Sequence, residues 1–308
     1  MLSYLQAVVI GLTQGITELF PVSSLGHSVL LPALIGGDWE PLVTQSSTAD
    51  SGSSFYLAFI VALHVATACA LLLFFRKEWV RIIGGFLRSL RPSIAARRIV
   101  ADDEDSRLAW LIVIATIPVG ITGLALEHTF RTVFAKPLAA AIFLTLNGVV
   151  LLAGERLRRS SETALAQSEA DADDPGHVHG TRPVLSLSYR EGFTVGAFQI
   201  AALFAGISRS GVAMVGGLVR GLSHEDAARF SFLLATPVIF AAGVLKLPSL
   251  AGPAAAHIHG QILVGMAVAF AGAYLSTRFL VRYFETRTLT PFAVYSLVVG
   301  GICIARFA

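Results

Sequence analysis

The chain has 308 residues, of which 55% are hydrophobic and only 14% charged, and its mean hydropathy is +0.71. Soluble globular proteins carry about 25% charged residues, so this composition excludes a water-soluble body of this size. The formal net charge of +3 does not indicate a nucleic-acid partner, because the basic residues lie between apolar segments, where they orient membrane helices. We therefore predict an all-α polytopic membrane protein.

Long uncharged runs predict about six full transmembrane helices. A spanning helix needs roughly 20 mostly apolar residues, with a range near 17–25. The N-terminus has neither a basic region nor a small-residue cleavage site, so we do not expect an ordinary signal peptide there. In chain order, the runs cover residues 55–75, 108–126, 138–153, 230–245, 262–277 and 291–305.

The loop charges predict one orientation of the chain. Residues 76–107, 154–190 and 278–290 are rich in arginine and should be cytoplasmic, whereas residues 37–54 contain no Lys or Arg and should face outward. The polar stretch from Ser160 to Thr181 is predicted to be a flexible loop. Its His177 and His179 form a weak metal-binding pattern without further ligands nearby.

An internal repeat divides the chain. Three residues of the N-terminal segment recur at one offset of 185 residues, which predicts a first half at 1–153, a polar loop at 154–190 and a second half at 191–308. At about 1.5 Å per residue, residues 191–222 make only some 48 Å of helix, too short to cross a ~30 Å core twice. We therefore predict two re-entrant helical hairpins arranged as an inverted repeat. The recurring residues are Gly11, Gln14 and Ser23, matched by Gly196, Gln199 and Ser208.

The first polar cluster lies in the N-terminal apolar segment. Gln14 and Glu18 are four residues apart and share a helix face, and Ser24 and His27 share a face three residues apart. A carboxylate in a membrane segment is costly and indicates a functional site. The structural alternative is a Glu–Arg pair, with Ser23 or Ser24 merely capping a helix.

The second cluster contains Ser208, Arg209, Ser210 and Gly211 between two apolar stretches. The planar guanidinium of Arg209 suits bidentate phosphate binding, and the two hydroxyls add further hydrogen-bonding groups. A helix that begins at Gly211 would also direct backbone N–H groups toward a bound anion. The alternative is that Arg209 only pairs with Glu18.

These motifs resemble the bacterial undecaprenyl-diphosphate phosphatases, the BacA/UppP family. The resemblance rests on the first cluster with its Pro21-Val22-Ser23-Ser24 turn, on the second cluster, on Phe230–Pro237 and on His64-x2-Thr67, and it covers almost the whole chain. It implies a multi-pass enzyme of the bacterial inner membrane that removes the terminal phosphate from a C55 lipid diphosphate. That reaction recycles the carrier lipid for cell-wall synthesis and lowers bacitracin susceptibility. The resemblance also implies a divalent cation and a site open to the outer face.

The departures from the family pattern lie at Gln14, where the family often has Glu, at Ala205, where Pro is usual, and at Ala213, where Thr is usual. They put cation affinity and turnover in question. The reaction type is less affected, because Glu18, Ser24, His27 and Arg209 are in place.

The resulting hypothesis assigns a role to each polar side chain. Glu18 and Gln14 hold Mg²⁺ or Ca²⁺, and Arg209 stabilises charge on the transferring phosphoryl group. Ser24 is the nucleophile with His27 as its base, or His27 acts on the leaving group or on water and Ser24 only positions phosphate. The remaining predicted substrate contacts are Ser23, Ser208, Ser210 and Gly211.

The competing function is transport of the polyprenyl phosphate, because inverted repeats with a polar site at the membrane midplane are also typical of transporters. A transporter needs no nucleophile with a base, which favours the enzyme. A purely structural scaffold does not explain the buried charges. The sequence does not indicate an oligomeric state.

Overall fold

The computed structural model describes residues 2–42, 55–134, 136–170, 182–250 and 257–308, without the side chains of 127–134, 161–170 and 246–250. All regular elements in these ranges are helices, and six are long and apolar enough to cross a membrane. The protein is an all-α polytopic membrane protein, as predicted.

The helices fall into spanning and shorter ones. The six spanning helices are α3, α5, α6, α9, α10 and α11. In chain order the bounds are α1 (Tyr4–Thr17), α2 (Ser24–Ile35), α3 (Phe55–Phe74), α4 (Arg76–Ala96), α5 (Glu104–Phe134), α6 (Pro137–Ala170), α7 (Tyr189–Phe198), α8 (Arg209–Val219), α9 (His224–Leu250), α10 (His259–Tyr283) and α11 (Thr290–Phe307).

Helix α4 occupies most of a segment that the sequence analysis treats as a basic loop. Its buried residues Ile82, Gly85, Ser89 and Ser93 are spaced by three or four positions and so form one helical stripe. The stripe packs on α5, where the Ser106 hydroxyl donates to the Gly85 carbonyl at 2.9 Å. The opposite side is exposed and carries arginines together with apolar side chains.

Helix α6 continues beyond its apolar part. The stretch from residue 155 to Ala170 contains no Pro or Gly, so nothing in it breaks the helix. The segment predicted to be a flexible loop is therefore helical as far as Ala170. His177 and His179 lie outside the described residues.

The N-termini of α1 and α7 show the same local structure 185 residues apart. Ser3 caps α1 in a reciprocal capping box with Gln6, and Ser188 caps α7 in one with Glu191. The side-chain oxygen of each serine accepts from a backbone N–H, and the Gln or Glu side chain accepts from the backbone N–H of the serine. The inverted orientation of the halves in the bilayer stays a prediction.

The short helices α1 and α7 pack on spanning helices of the opposite half of the chain. Helix α1 lies against α10, and α7 lies against α5. Glycines make both approaches close: a Cβ at Gly15 would lie 2.4 Å from the Ala269 carbonyl oxygen, and one at Gly196 would lie 1.9 Å from that of Ala115. Because each short helix packs against the other half of the chain, residues of the two halves meet at one site.

Replacing Gly196 with alanine is expected to lower the melting temperature of the detergent-solubilised protein by several degrees. The added methyl group would collide with backbone of α5, and such overpacking costs about 1–3 kcal/mol or more. Gly120 of α5 is the matched control, because a Cβ added there would have no other atom within 4 Å. Gly120→Ala should melt at the same temperature or higher, since alanine favours a helix. Equal melting temperatures of the Gly196→Ala and Gly120→Ala variants would contradict the close packing of α7 on α5.

Candidate active site

The Glu18 carboxylate is the centre of the site. Glu18 is buried and follows the last residue of α1, and its Oε1 forms an ion pair with Nη2 of Arg209. Its Oε2 accepts from Gln14 Nε2 at 2.8 Å and from the Ser24 hydroxyl at 2.5 Å. His64 Nε2 lies 3.5 Å from the same oxygen. Residues from both halves of the chain thus converge on one acid.

The backbone turn at Ser23 aims Ser24 at this acid. Ser23 has φ +69°, a conformation that non-glycine residues rarely adopt and that is typical of functional sites. Its hydroxyl caps α2 by accepting from Gly26 N–H at 3.2 Å, and it also accepts from Gly206 N–H at 3.1 Å. Ser24 is then the first residue of α2.

The second half of the chain builds a matching turn. Gly206 has φ +116°, and a Cβ there would lie 2.4 Å from the Ala140 carbonyl oxygen, so glycine is required. The Ser208 hydroxyl caps α8 by accepting from Gly211 N–H at 3.1 Å, and it lies 3.0 Å from the Ser210 hydroxyl. Arg209 is the first residue of α8 and corresponds to Ser24 in the repeat.

Asn147 of α6 joins the two turns. Its Nδ2 donates to the Pro21 carbonyl at 2.9 Å, and its Oδ1 accepts from Ser208 N–H at 2.9 Å. The amide is fully buried, and Nδ2 also donates to the Ser296 hydroxyl at 3.2 Å. Asn147 was not a candidate in the sequence analysis, although it is the single amide in the apolar run 138–153.

His27 is oriented away from Ser24. Its Nδ1 lies 2.7 Å from the Ser23 carbonyl oxygen, which can only accept, so Nδ1 carries the proton in this contact. Its Nε2 lies 2.8 Å from the hydroxyl of Tyr295, which donates to it when the ring is neutral. The hydroxyl of Ser24 therefore meets Glu18 and not His27. A catalytic role for His27 stays a prediction.

A cavity of about 150 Å³ opens beside Glu18. Of the predicted site residues, Glu18, Ser23, Ser24, Ser208 and Arg209 line it, and Gln14, His27, Ser210 and Gly211 do not. Apolar side chains form the rest of the wall. The volume suits a diphosphate headgroup and is far too small for a polyprenyl chain. The apolar lining residues are Leu25, Val119, Ala202, Leu203, Ile207 and Val238.

His64 and Gln199 line the cavity but were not predicted as site residues. The signal for His64 was its position inside the apolar run 55–75. The signal for Gln199 was the internal repeat, in which it corresponds to the predicted site residue Gln14. For Tyr295, on α11, the sequence carries no comparable signal.

A divalent cation fits the chemistry of the Gln14–Glu18 pair. The buried Oε1 of Gln14 accepts no hydrogen bond from any described residue, while Nε2 of the same amide donates to Glu18 Oε2. Amide and carboxylate oxygens are ligands that Mg²⁺ and Ca²⁺ prefer, and Mg²⁺ usually keeps several waters and phosphate oxygens. No group of three or more His, Cys, Asp or Glu side chains able to hold a metal occurs among the described residues.

Comparison with known proteins finds relatives that match almost the whole chain. Residues 7–302 match the family described as Bacitracin resistance protein BacA. Undecaprenyl-diphosphatase 2 of Frankia alni is 59% identical over 344 residues, which cover 100% of this chain and 98% of the relative. Undecaprenyl-diphosphatase of Mycolicibacterium paratuberculosis is 57% identical over 311 residues, with the same coverage. The chain therefore belongs to the BacA family of bacitracin resistance proteins.

Proposed function

We propose that this protein is an undecaprenyl-diphosphate phosphatase, which hydrolyses a C55 polyprenyl diphosphate to the monophosphate carrier lipid and inorganic phosphate. The observation that carries the proposal is the Glu18 carboxylate, held between the Ser24 hydroxyl and the Arg209 guanidinium at a cavity of headgroup size. The names of the close relatives agree with this activity.

In the proposed mechanism, the Ser24 oxygen attacks the terminal phosphorus while Glu18 Oε2 accepts the hydroxyl proton, a transfer for which the 2.5 Å contact is suited. The bond from that phosphorus to the bridging oxygen breaks, and polyprenyl phosphate leaves. Water then attacks the phosphorus of the phosphoserine, the bond from that phosphorus to the serine oxygen breaks, inorganic phosphate leaves, and the protonated Glu18 returns its proton to the Ser24 oxygen. The alternative is direct attack by water, with Glu18 as the base and Ser24 only positioning phosphate.

Arg209 stabilises the negative charge of the transferring group. One of its nitrogens pairs with Glu18, and its Nε has no partner among the described residues, so donors remain for phosphoryl oxygens. The N-terminal end of α8 adds the favourable end of the helix dipole. Ser208, Ser210 and Gly211 belong to this end of the helix and are the further proposed substrate contacts.

The cation and the cellular location are also proposals. A divalent ion held by Glu18 and Gln14 would neutralise charge on the diphosphate. We place the protein in the bacterial plasma membrane with its site facing outward, because the loop charges favour that orientation. The apolar wall of the cavity suits a substrate whose chain remains in lipid.

Phosphate release from a purified lipid diphosphate tests this function. The detergent-solubilised protein should release inorganic phosphate, lose activity in a chelator and regain it with Mg²⁺ or Ca²⁺. Leaflet exchange of the lipid without hydrolysis, measured in proteoliposomes, would identify a transporter instead. The names of the relatives favour hydrolysis over transport.

Arg209→Lys should lower kcat by roughly 100-fold. Lysine keeps the positive charge but loses the planar fork that can hold Glu18 and a phosphoryl oxygen together. Phosphate release at saturating lipid measures the effect. Arg158→Lys is a control on the same residue type, because Arg158 contacts His224 away from the cavity. An unchanged rate in Arg209→Lys would argue against a bidentate clamp.

A further inference from the structure

Gln199 is a buried amide side chain in the wall of the active-site cavity. It lines the cavity together with Glu18, Ser24 and Arg209, and its exposure is 0%. Neither its Oε1 nor its Nε2 forms a hydrogen bond with any described residue. An amide buried without partners destabilises a fold, so native proteins rarely keep one that has no other purpose.

Asn147 shows how the same fold treats a structural amide. It is also 0% exposed, yet its Nδ2 donates to two oxygens and its Oδ1 accepts from Ser208 N–H. The surroundings of Gln199 thus differ from those of an amide that holds helices together. Gln199 instead lies in the wall of the cavity beside Ser24, with both of its amide atoms buried and without a partner among the described residues.

The internal repeat explains why these donors are free. Gln14 donates from Nε2 to Glu18, which lies four residues later, directly after the end of α1. The residue four positions after Gln199 is Leu203, which has no acceptor in its side chain. The second half of the chain therefore keeps the amide of the repeat but lacks its carboxylate.

The backbone holds Gln199 in place for a ligand. Gln199 ends α7 and begins a 3-10 turn at Gln199–Leu203 that contacts α5. One turn earlier, Gly196 lies directly on the backbone of α5 at Ala115. A side chain on so constrained a segment loses little freedom when it binds.

We propose that Gln199 binds the terminal phosphoryl group of the lipid diphosphate by donating a hydrogen bond from Nε2 to a phosphoryl oxygen. The proposal rests on the phosphatase function above. It makes Gln199 a substrate-binding residue that faces the phosphate together with Arg209. An uncharged donor adds a directed contact at the phosphate without another positive charge that would compete for Glu18.

The Gln199→Met variant tests this proposal, because methionine keeps the volume and removes both polar atoms. We expect kcat/KM for the lipid diphosphate to fall roughly 10- to 100-fold, as for a lost hydrogen bond to a charged group. Without phosphate the variant should melt about 1–3 °C higher, because the unpartnered amide is gone. Inhibition by inorganic phosphate should need roughly tenfold more phosphate. Gln199→Glu, which keeps the shape but lacks the donor, should show the same weakened inhibition.

Gln261→Met is the matched control, since Gln261 is partly buried on α10 and its Nε2 donates to the Leu2 carbonyl at 3.2 Å, away from the cavity. Its kcat/KM and phosphate inhibition should equal those of the wild type. Unchanged kcat/KM and phosphate inhibition in Gln199→Met would overturn the proposal, and so would a lower melting temperature, which indicates a structural amide. If the wild type releases no phosphate from the lipid, the phosphatase function fails. The rise in melting temperature that inorganic phosphate causes, compared between wild type and Gln199→Met, then still decides the role of Gln199.

Discussion

Ser24→Ala is expected to lower kcat for the lipid diphosphate by roughly 1,000-fold or more, the scale seen when an enzyme loses its nucleophile. Among the described residues, only the Ser24 hydroxyl donates to the Glu18 carboxylate, at 2.5 Å, and Ser24 lines the cavity. Alanine removes that oxygen and leaves the turn at Ser23 intact. Phosphate release and trapping of a phosphoserine during turnover together measure the effect.

Ser28→Ala provides the control on the same helix. Ser28 is also buried on α2, but its hydroxyl donates to the Ser24 carbonyl at 2.9 Å and does not reach the cavity. We expect turnover close to that of the wild type. Near wild-type turnover in Ser24→Ala would remove the covalent route and leave water as the nucleophile.

Glu18→Gln should lower kcat by about 1,000-fold or more, because one substitution removes the proposed base and the counter-ion of Arg209. The glutamine is nearly isosteric, so the cavity keeps its shape. Loss of the charged partner of the partly buried Arg209 guanidinium should also lower the free energy of unfolding by roughly 1.5–3 kcal/mol. Phosphate release and thermal melting of the same preparation separate the two effects.

Glu155 is a matched control for Glu18. It is equally buried, and its Oε1 lies 2.6 Å from His224 Nε2 and accepts from Leu289 N–H at 2.7 Å, away from the cavity. Glu155→Gln should therefore lower the free energy of unfolding, while kcat per folded molecule stays equal to that of the wild type. Comparable kcat in the wild type and Glu18→Gln would show that another group takes the proton.

The spanning helices were predictable because a long apolar run is a strong and local signal. Five of the six runs lie within spanning helices of the structure, and the run 55–75 extends one residue past the end of α3. Helix α4 was missed, because its arginines were interpreted only as loop charges, although Ile82, Gly85 and Ser89 already have helical spacing. The C-terminal part of α6 was not predicted as helix, because its polar composition resembles that of a linker. Its residues nevertheless have high helix propensity.

The charged members of the site were predictable from the cost of placing them in apolar segments. The structure brings Glu18, Ser24 and Arg209 together, although no sequence pattern gives their distances. The hydrogen-bond partner of Ser24 was not predictable. The three-residue spacing of Ser24 and His27 puts them on one helix face, but it does not determine whether they contact each other. The structure instead places the Ser24 hydroxyl against Glu18, which precedes it by six positions. Tyr295 meets His27 across 268 positions, a contact that no single sequence reveals.

The Glu18–Arg209 pair also fixes an order of events during biosynthesis. The two residues lie 191 positions apart, so a ribosome adding about 5–20 residues per second makes the arginine some 10–40 s after the acid. A lone carboxylate is unstable in hydrocarbon for all of that time. We therefore expect the segment that carries Glu18 to remain in the hydrated headgroup layer until Arg209 has been synthesised. A chain truncated before Arg209 would leave that segment exposed to surveillance proteases.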